Sequence, residues 1–220
     1  TLAVLALLAT TAAALLESRR ANHATATARA ERDEAVAVRS FLMEMYGATG
    51  ADDEVGAAES VRQLIDRQAA RIDVAYPDRP LLAARLHEVT ADAYDRLGLP
   101  AEAEAPARRA LALRRAAQGE SHPDVAAAHN LLGWVLHQAG HRDSGEVHLR
   151  QALAIHLDRA TPDSITMSRT LNDLGVLLNA VERWPEAEST LARALAIRRA
   201  INGDSSLAVG ITANNLAATH

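Results

Sequence analysis

The chain has 220 residues, 49% of them hydrophobic but only 3% aromatic, with Phe41 the sole phenylalanine and a formal net charge of −5. So few aromatic residues leave Ala, Leu, Val and Ile to build the core, which suits closely packed helices better than a sandwich or barrel. Cysteine is absent and all 23 basic residues are arginine, which excludes a disulfide framework, a thiolate metal site, a cysteine nucleophile and a phosphate-binding lysine within this sequence, while the mild acidity gives no basic footprint for nucleic acid.

Residues 1–16 carry no charge and consist of Leu, Ala, Val and Thr. At about 1.5 Å per residue they reach about 24 Å, short of the roughly 20 residues that cross a hydrocarbon layer. The chain begins with Thr1 and ends inside a repeat, so it reads as part of a longer protein, and residues 1–16 read as a truncated transmembrane helix. A secretory signal peptide and a buried helix of a preceding domain are the alternatives. Arg19 and Arg20 flank this stretch. Residues 17–47 are rich in Ala, Glu and Arg and predict one long juxtamembrane helix, with Val38, Phe41, Leu42 and Met45 forming an apolar face near its end. Gly47, Gly50, Asp52 and Asp53 break it.

Residues 48–81 form a degenerate capping unit. Its helix is expected from about Ala57 to Val74, with Val61, Leu64, Ile65, Ala69 and Ile72 as the buried stripe, stopped by Pro77 and Pro80.

From residue 82 to residue 220 the text repeats every 42 residues: Asn130-Leu131-Leu132-Gly133 returns as Asn172-Asp173-Leu174-Gly175 and again as Asn214-Asn215-Leu216-Ala217. A fixed period of this size marks a repeat array, each repeat being one helix–turn–helix unit that buries its apolar face only by stacking on its neighbours. The register predicts three full units and a fourth cut after one helix, at about residues 82–117, 124–158, 166–200 and 207 onward. Turn formers at residues 119–123, 161–163 and 203–206 separate them. Small residues on first helices (Gly133, Gly175, Ala217) are expected to face small residues on second helices (Ala103, Gly145, Ala187), with Ala110, Ala152 and Ala194 seven positions further on, so that the paired helices approach closely.

This pattern of small residues resembles the tetratricopeptide repeat. The 42-residue spacing, with Asn-Asn-Leu-Ala at residues 214–217 and Ala-Leu-Ala-Ile-Arg at residues 194–198, resembles the longer repeats of kinesin light chains and their bacterial relatives. Thr90 and Ala91 replace Leu-Gly in the first unit. The resemblance implies an all-α, right-handed α-solenoid, here preceded by a long N-terminal helix. Upstream, the apolar span, the run Val38 to Leu42 and Leu64-Ile65-Asp66-Arg67 resemble the region after the kinase domain in bacterial membrane-anchored serine/threonine kinases. That resemblance implies a single-pass bacterial membrane protein with the repeats on the extracytoplasmic side. No kinase motif lies in these residues, so no catalytic residue is expected.

In the repeat family the first helices line a concave groove. Carried onto this sequence, its positions are Arg85, Glu88, Asp92 and Arg96 in the first unit and Asn130, Trp134, His137 and Gln138 in the second. Arg169, Asn172, Asp173 and Asn179 follow in the third, and Asn214 and Asn215 in the fourth. The Asn ladder offers donor and acceptor to an extended peptide, or else bonds neighbouring helices. Trp134 is an anchor for a ligand or a packing residue between adjacent first helices, and Trp184, before Pro185, reads as a helix-junction residue. His137, His141 and His148 lie near one another in sequence, but Gly140 separates the first two and no carboxylates gather with them, so neither metal nor cofactor is expected. The expected function is a protein–protein interaction scaffold that binds a peptide or protein segment and is tethered to a membrane. A homodimerisation module of the parent kinase, or the repeat half of a soluble transcriptional regulator, are the rival readings.

Overall fold

The computed structural model describes residues 57–158 and 164–219, preceded by single positions and short runs between Glu17 and Met43. The chain divides after Asp53 into two compact units. In the first, the described positions are helical and Phe41 is buried. The apolar stretch of residues 1–16, the break at Gly47 to Asp53 and the connector at residues 161–163 lie outside the described residues. No helix among the described residues is long and apolar enough to cross a membrane.

The second unit is a right-handed α-solenoid. Its helices are α1 (Ala57–Ala75), α2 (Pro80–Arg96), α3 (Pro100–Gln118), α4 (Pro123–Gln138), α5 (Arg142–Leu157), α6 (Ser164–Ala180), α7 (Trp184–Asn202) and α8 (Leu207–Ala217). Proline opens several of them, at Pro80, Pro100 and Pro123 and within the first turn of α7 at Pro185. There its fixed φ fits the helix and its missing N–H costs nothing. Among the described residues, side chains cap two starts: His122 Nδ1 accepts from the Asp124 amide at 3.1 Å, and Ser206 Oγ from the Val209 amide at 3.3 Å.

The first helices α2, α4 and α6 end in the same way. The amides of Leu99, His141 and Arg183 reach back to the carbonyls of Tyr94, Leu136 and Leu178 at 2.9, 2.8 and 2.9 Å. This closure needs a left-handed residue just before it. Gly98 (φ 70°) and Gly140 (φ 88°) supply one without strain, whereas the third repeat places Glu182 there at φ 62°. An L-residue with a Cβ pays for that conformation on the order of 1 kcal/mol.

Helices pair as α2 with α3, α4 with α5 and α6 with α7, and α8 packs on α7. Inside the pairs the core is small: Ala103, Ala110, Ala152, Ala187 and Ala194 are fully buried. A Cβ on Gly133 would lie 2.9 Å from the Gly145 carbonyl oxygen and 2.8 Å from Leu149 Cγ, and one on Gly145 would lie 2.8 Å from the Gly133 carbonyl oxygen. The two glycines therefore let the α4 and α5 backbones touch, as their facing positions in the sequence predict. Gly175 differs in detail: a Cβ there would meet Leu191 Cγ at 2.5 Å, so that glycine makes room for a leucine knob from α7. Leu149 and Leu191 hold the same place in successive repeats, and both are fully buried.

α1 begins within one residue of where the 42-residue register puts a second helix, so it stacks on α2 as one would. Leu64, Ile65 and Ile72 are its buried stripe. Polar ties hold it in place: the Tyr94 hydroxyl donates to Asp66, Asp73 binds Arg109 at 2.9 Å and His87 at 3.2 Å, and Arg62 reaches Glu102 at 2.9 Å.

Candidate functional site

Two layers run along the solenoid, and they are spaced differently. Successive first helices touch one another, α2 with α4, α4 with α6 and α6 with α8, while successive second helices make no comparably extensive contact among the described residues. Elements that crowd together lie on the inside of a curved stack. The first helices thus form the concave wall, and the groove positions carried over from the repeat family fall on it.

A chain of short polar side chains closes this wall. Asn130 Nδ2 on α4 donates to Asp173 Oδ2 on α6 at 2.9 Å, and Asn172 Nδ2 donates to Asp173 Oδ1 at 3.2 Å. Asn172 Oδ1 in turn accepts from Asn215 Nδ2 and from the Thr212 hydroxyl on α8, both at 3.1 Å. Asn179 Nδ2 donates to the Asn215 carbonyl at 3.4 Å. Asn130 and Asn172 are buried with 7% of their surface exposed, so of their two sequence readings the geometry has them tying neighbouring first helices. Burial raises the Asp173 carboxyl above the ordinary aspartate range, against the pull of the two Asn amides and the positive charges of Arg169 and Arg198.

The remaining groove positions are less deeply buried. Arg85, Asp92, Arg96, Gln138, Arg169 and Asn214 are exposed, and Glu88, Trp134, His137, Asn179 and Asn215 are half-buried. Arg169 forms no ion pair among the described residues. Trp134 Nε1 donates to Asp95 Oδ2 at 3.2 Å, which fixes the indole against the preceding first helix, and the His137 ring lies 5.6 Å from it. Burial, with Arg142 nearby, lowers the His137 pKa and keeps the imidazole neutral.

Some site residues were not legible as such. Asp95 stands one and two repeats before His137 and Asn179, so the 42-residue register alone would have placed it on the groove wall. A column on the second helices, Arg114, His156 and Arg198, was also missed. Arg114 grips Glu88 through Nε at 2.9 Å and Nη2 at 3.2 Å and reaches Asp124 through Nη1 at 2.7 Å, joining α2, α3 and α4. Arg198 donates to the Ala208 carbonyl at 3.0 Å, joining α7 to α8. His156 is fully buried between them in sequence. Trp184 opens α7 with 53% of its surface exposed.

His129 and His148 face each other across α4 and α5, Nδ1 to Nδ1 at 2.9 Å. Burial and the partner ring push His129 down to about 4, so the pair is neutral at neutral pH. No three His, Asp or Glu side chains gather in a metal-binding arrangement among the described residues.

A model of the tetratricopeptide repeat matches residues 82–158 and 166–220. Comparison with curated proteins finds no match. Among solved structures, BtubC (BKLC) from P. vanneervenii is similar at 23% identity and a TM-score of 0.61, over 76% of this chain and 66% of that one. Two structures from Podosopora anserina, described as a kinesin light chain with nearly identical TPR-like repeats, are similar at 17% identity with TM-scores of 0.60 and 0.58, each over 86% of this chain and 84% of theirs. At these identities the likeness concerns the fold.

Proposed function

Because the chain belongs to the tetratricopeptide repeat family, we propose that its first-helix wall binds an extended peptide or protein segment and that the chain acts as a protein–protein interaction scaffold. The observation that carries the reading is the division of labour on that wall. Asn130, Asn172 and Asp173 turn inward and seal it, while Arg85, Asp92, Trp134, Gln138, Arg169 and Asn214 remain at its surface. A continuous wall studded with polar groups and one oriented indole offers an extended chain both backbone partners and an anchor.

The apolar stretch of residues 1–16, the run Val38 to Leu42 and Leu64-Ile65-Asp66-Arg67 support a further reading of the parent molecule. In it, the array follows the membrane span of a bacterial membrane-anchored serine/threonine kinase, on the extracytoplasmic side, and recruits a partner by raising its local concentration there.

Selection of a random-peptide phage library on the full chain tests the binding function. Enriched peptides are expected to lose at least roughly tenfold in affinity to the double variant Arg169→Ala/Trp134→Ala, the size expected when an anchor and a charge are both lost. Unchanged affinity, or binding abolished instead by changes on second helices, would remove the groove reading.

A further inference from the structure

Resting on that groove reading, we propose that the junction of the first two repeats is a binding site for a cationic side chain, an arginine or lysine of the bound segment, held on the face of Trp134 and paired with Asp95. Trp134 lies on α4 and Asp95 on α2, joined by the indole N–H at 3.2 Å. That bond uses the N–H edge of the ring and one carboxylate oxygen, and Trp134 and Asp95, both half-buried, keep part of their surface accessible to a ligand beside the His137 ring 5.6 Å away. The face of an indole is the best aromatic partner for a cation, and a carboxylate beside it supplies the counter-charge.

The surroundings agree in sign. Asp95 pairs with no cation among the described residues. Asp92 stands where the next repeat has Trp134, so a second carboxylate lies along the same column of first-helix positions. Asp92 pairs with Arg96 on its own helix at 2.7 Å, with side chains 55% and 76% exposed respectively, an exposed pair worth little and readily exchanged. The adjacent His137 is held neutral, which spares an incoming cation a like charge. The exposed arginines of the first repeat, Arg85 and Arg96, are ion-paired on their own helix to Glu88 and Asp92, which leaves Asp95 as its carboxylate without a cation, whereas exposed Arg169 further along the wall has no carboxylate partner among the described residues. An extended segment with its basic residue towards α2 and an acidic residue towards α6 matches that order.

Trp134 and Trp184 are the only tryptophans, so the full chain carrying Trp184→Phe makes Trp134 fluorescence report on the site. The probes are three synthetic peptides of one extended sequence that differ at a single central residue: arginine, its neutral isostere citrulline, or glutamate. The arginine peptide is expected to shift Trp134 emission and to bind roughly tenfold tighter than the citrulline peptide, and Asp95→Asn is expected to erase that preference. Trp134→Phe, read by calorimetry, should also lower the preference and serves if Asp95→Asn does not fold. Equal binding of the arginine and citrulline peptides, or preference for glutamate, would overturn the cation site and leave the groove reading standing. Failure of all three peptides to bind, by fluorescence and calorimetry alike, would bring down both.

Discussion

The inner and outer faces of the solenoid solve one problem, joining neighbouring repeats, with different side chains. Inside, where first helices touch, the joints are short amides and a carboxylate: Asn130 to Asp173, and Asn172 to Asn215 and Thr212. Outside, where second helices spread apart, long arginines and glutamates span the gap. Arg150 on α5 reaches Glu186 on α7 at 2.5 Å, Arg183 at the α7 start reaches Glu146 on α5 at 2.7 Å, and Arg150 and Arg183 also bind the glutamate on their own side. Side-chain length follows backbone spacing, and burial follows with it. Inner joints are short and at least half-buried, whereas the outer ones are more exposed and adjustable. The two faces therefore differ in how they respond to substitution, pH and salt.

The largest effect is expected where backbones touch. Gly133→Leu forces a side chain against the Gly145 carbonyl and should cost about 3 kcal/mol, the upper end of the overpacking range, whereas Gly175→Leu meets the Leu191 side chain first rather than backbone and should cost less, about 1 to 2 kcal/mol. Chemical denaturation ranks the two, and a reversed order would contradict the close approach of α4 and α5. Next comes Asn172→Ala, which strips partners from Asp173, Thr212 and Asn215 and should cost about 2 kcal/mol.

Titration separates the faces by sign. Burial raises Asp173 above the usual 3.8, so its ionised form weighs on the fold at neutral pH and that weight lifts as pH falls through the raised value. Glu186 is lowered chiefly by its hydrogen bond to Arg150, and in Glu146 the opposing push of burial is outweighed by Arg150 and Arg183. Their stabilisation is present above the unfolded value of 4.5 and is lost as pH falls through the lowered folded value. Relative to wild type, Asp173→Asn should therefore look more favourable at pH 7 than near pH 4, while Glu146→Gln should cost stability at pH 7 and progressively less in acid. Urea melts at several pH values check both slopes.

Two smaller changes sharpen the contrast. Glu182→Gly replaces a left-handed glutamate with the residue that the other repeats use and should gain about 1 kcal/mol at most, seen as a raised Tm. Arg183→Ala breaks an exposed outer joint and should have the smallest effect of the series, one that shrinks in high salt, as the Asn172→Ala cost should not.

Much of this organisation is legible in the sequence because it repeats. The 42-residue offset places helix pairs, their closing turns and the Gly133–Gly145 approach, since each depends on residues within one unit. What joins one unit to the next is harder to read. Asn130 bonds Asp173 rather than Asn172, one position off the 42-residue register, an offset between neighbouring units that no single-repeat pattern encodes. Asp173 has Leu131 in its place one repeat earlier, so a carboxylate bridging Asn130 and Asn172 there breaks the repeat rather than continuing it. Arg114 and Arg198 were hidden for a related reason, because arginines on second helices look like solvated charge until the next first helix is seen packed over them.

The central claim is that the inner wall is the working surface. Hydrogen exchange on the full chain, with and without a peptide selected from the phage library, tests it most directly. Protection gained along α2, α4 and α6 at Asp95, Trp134 and Arg169, with α3, α5 and α7 unchanged, is the predicted result. Protection confined to the second helices would contradict it.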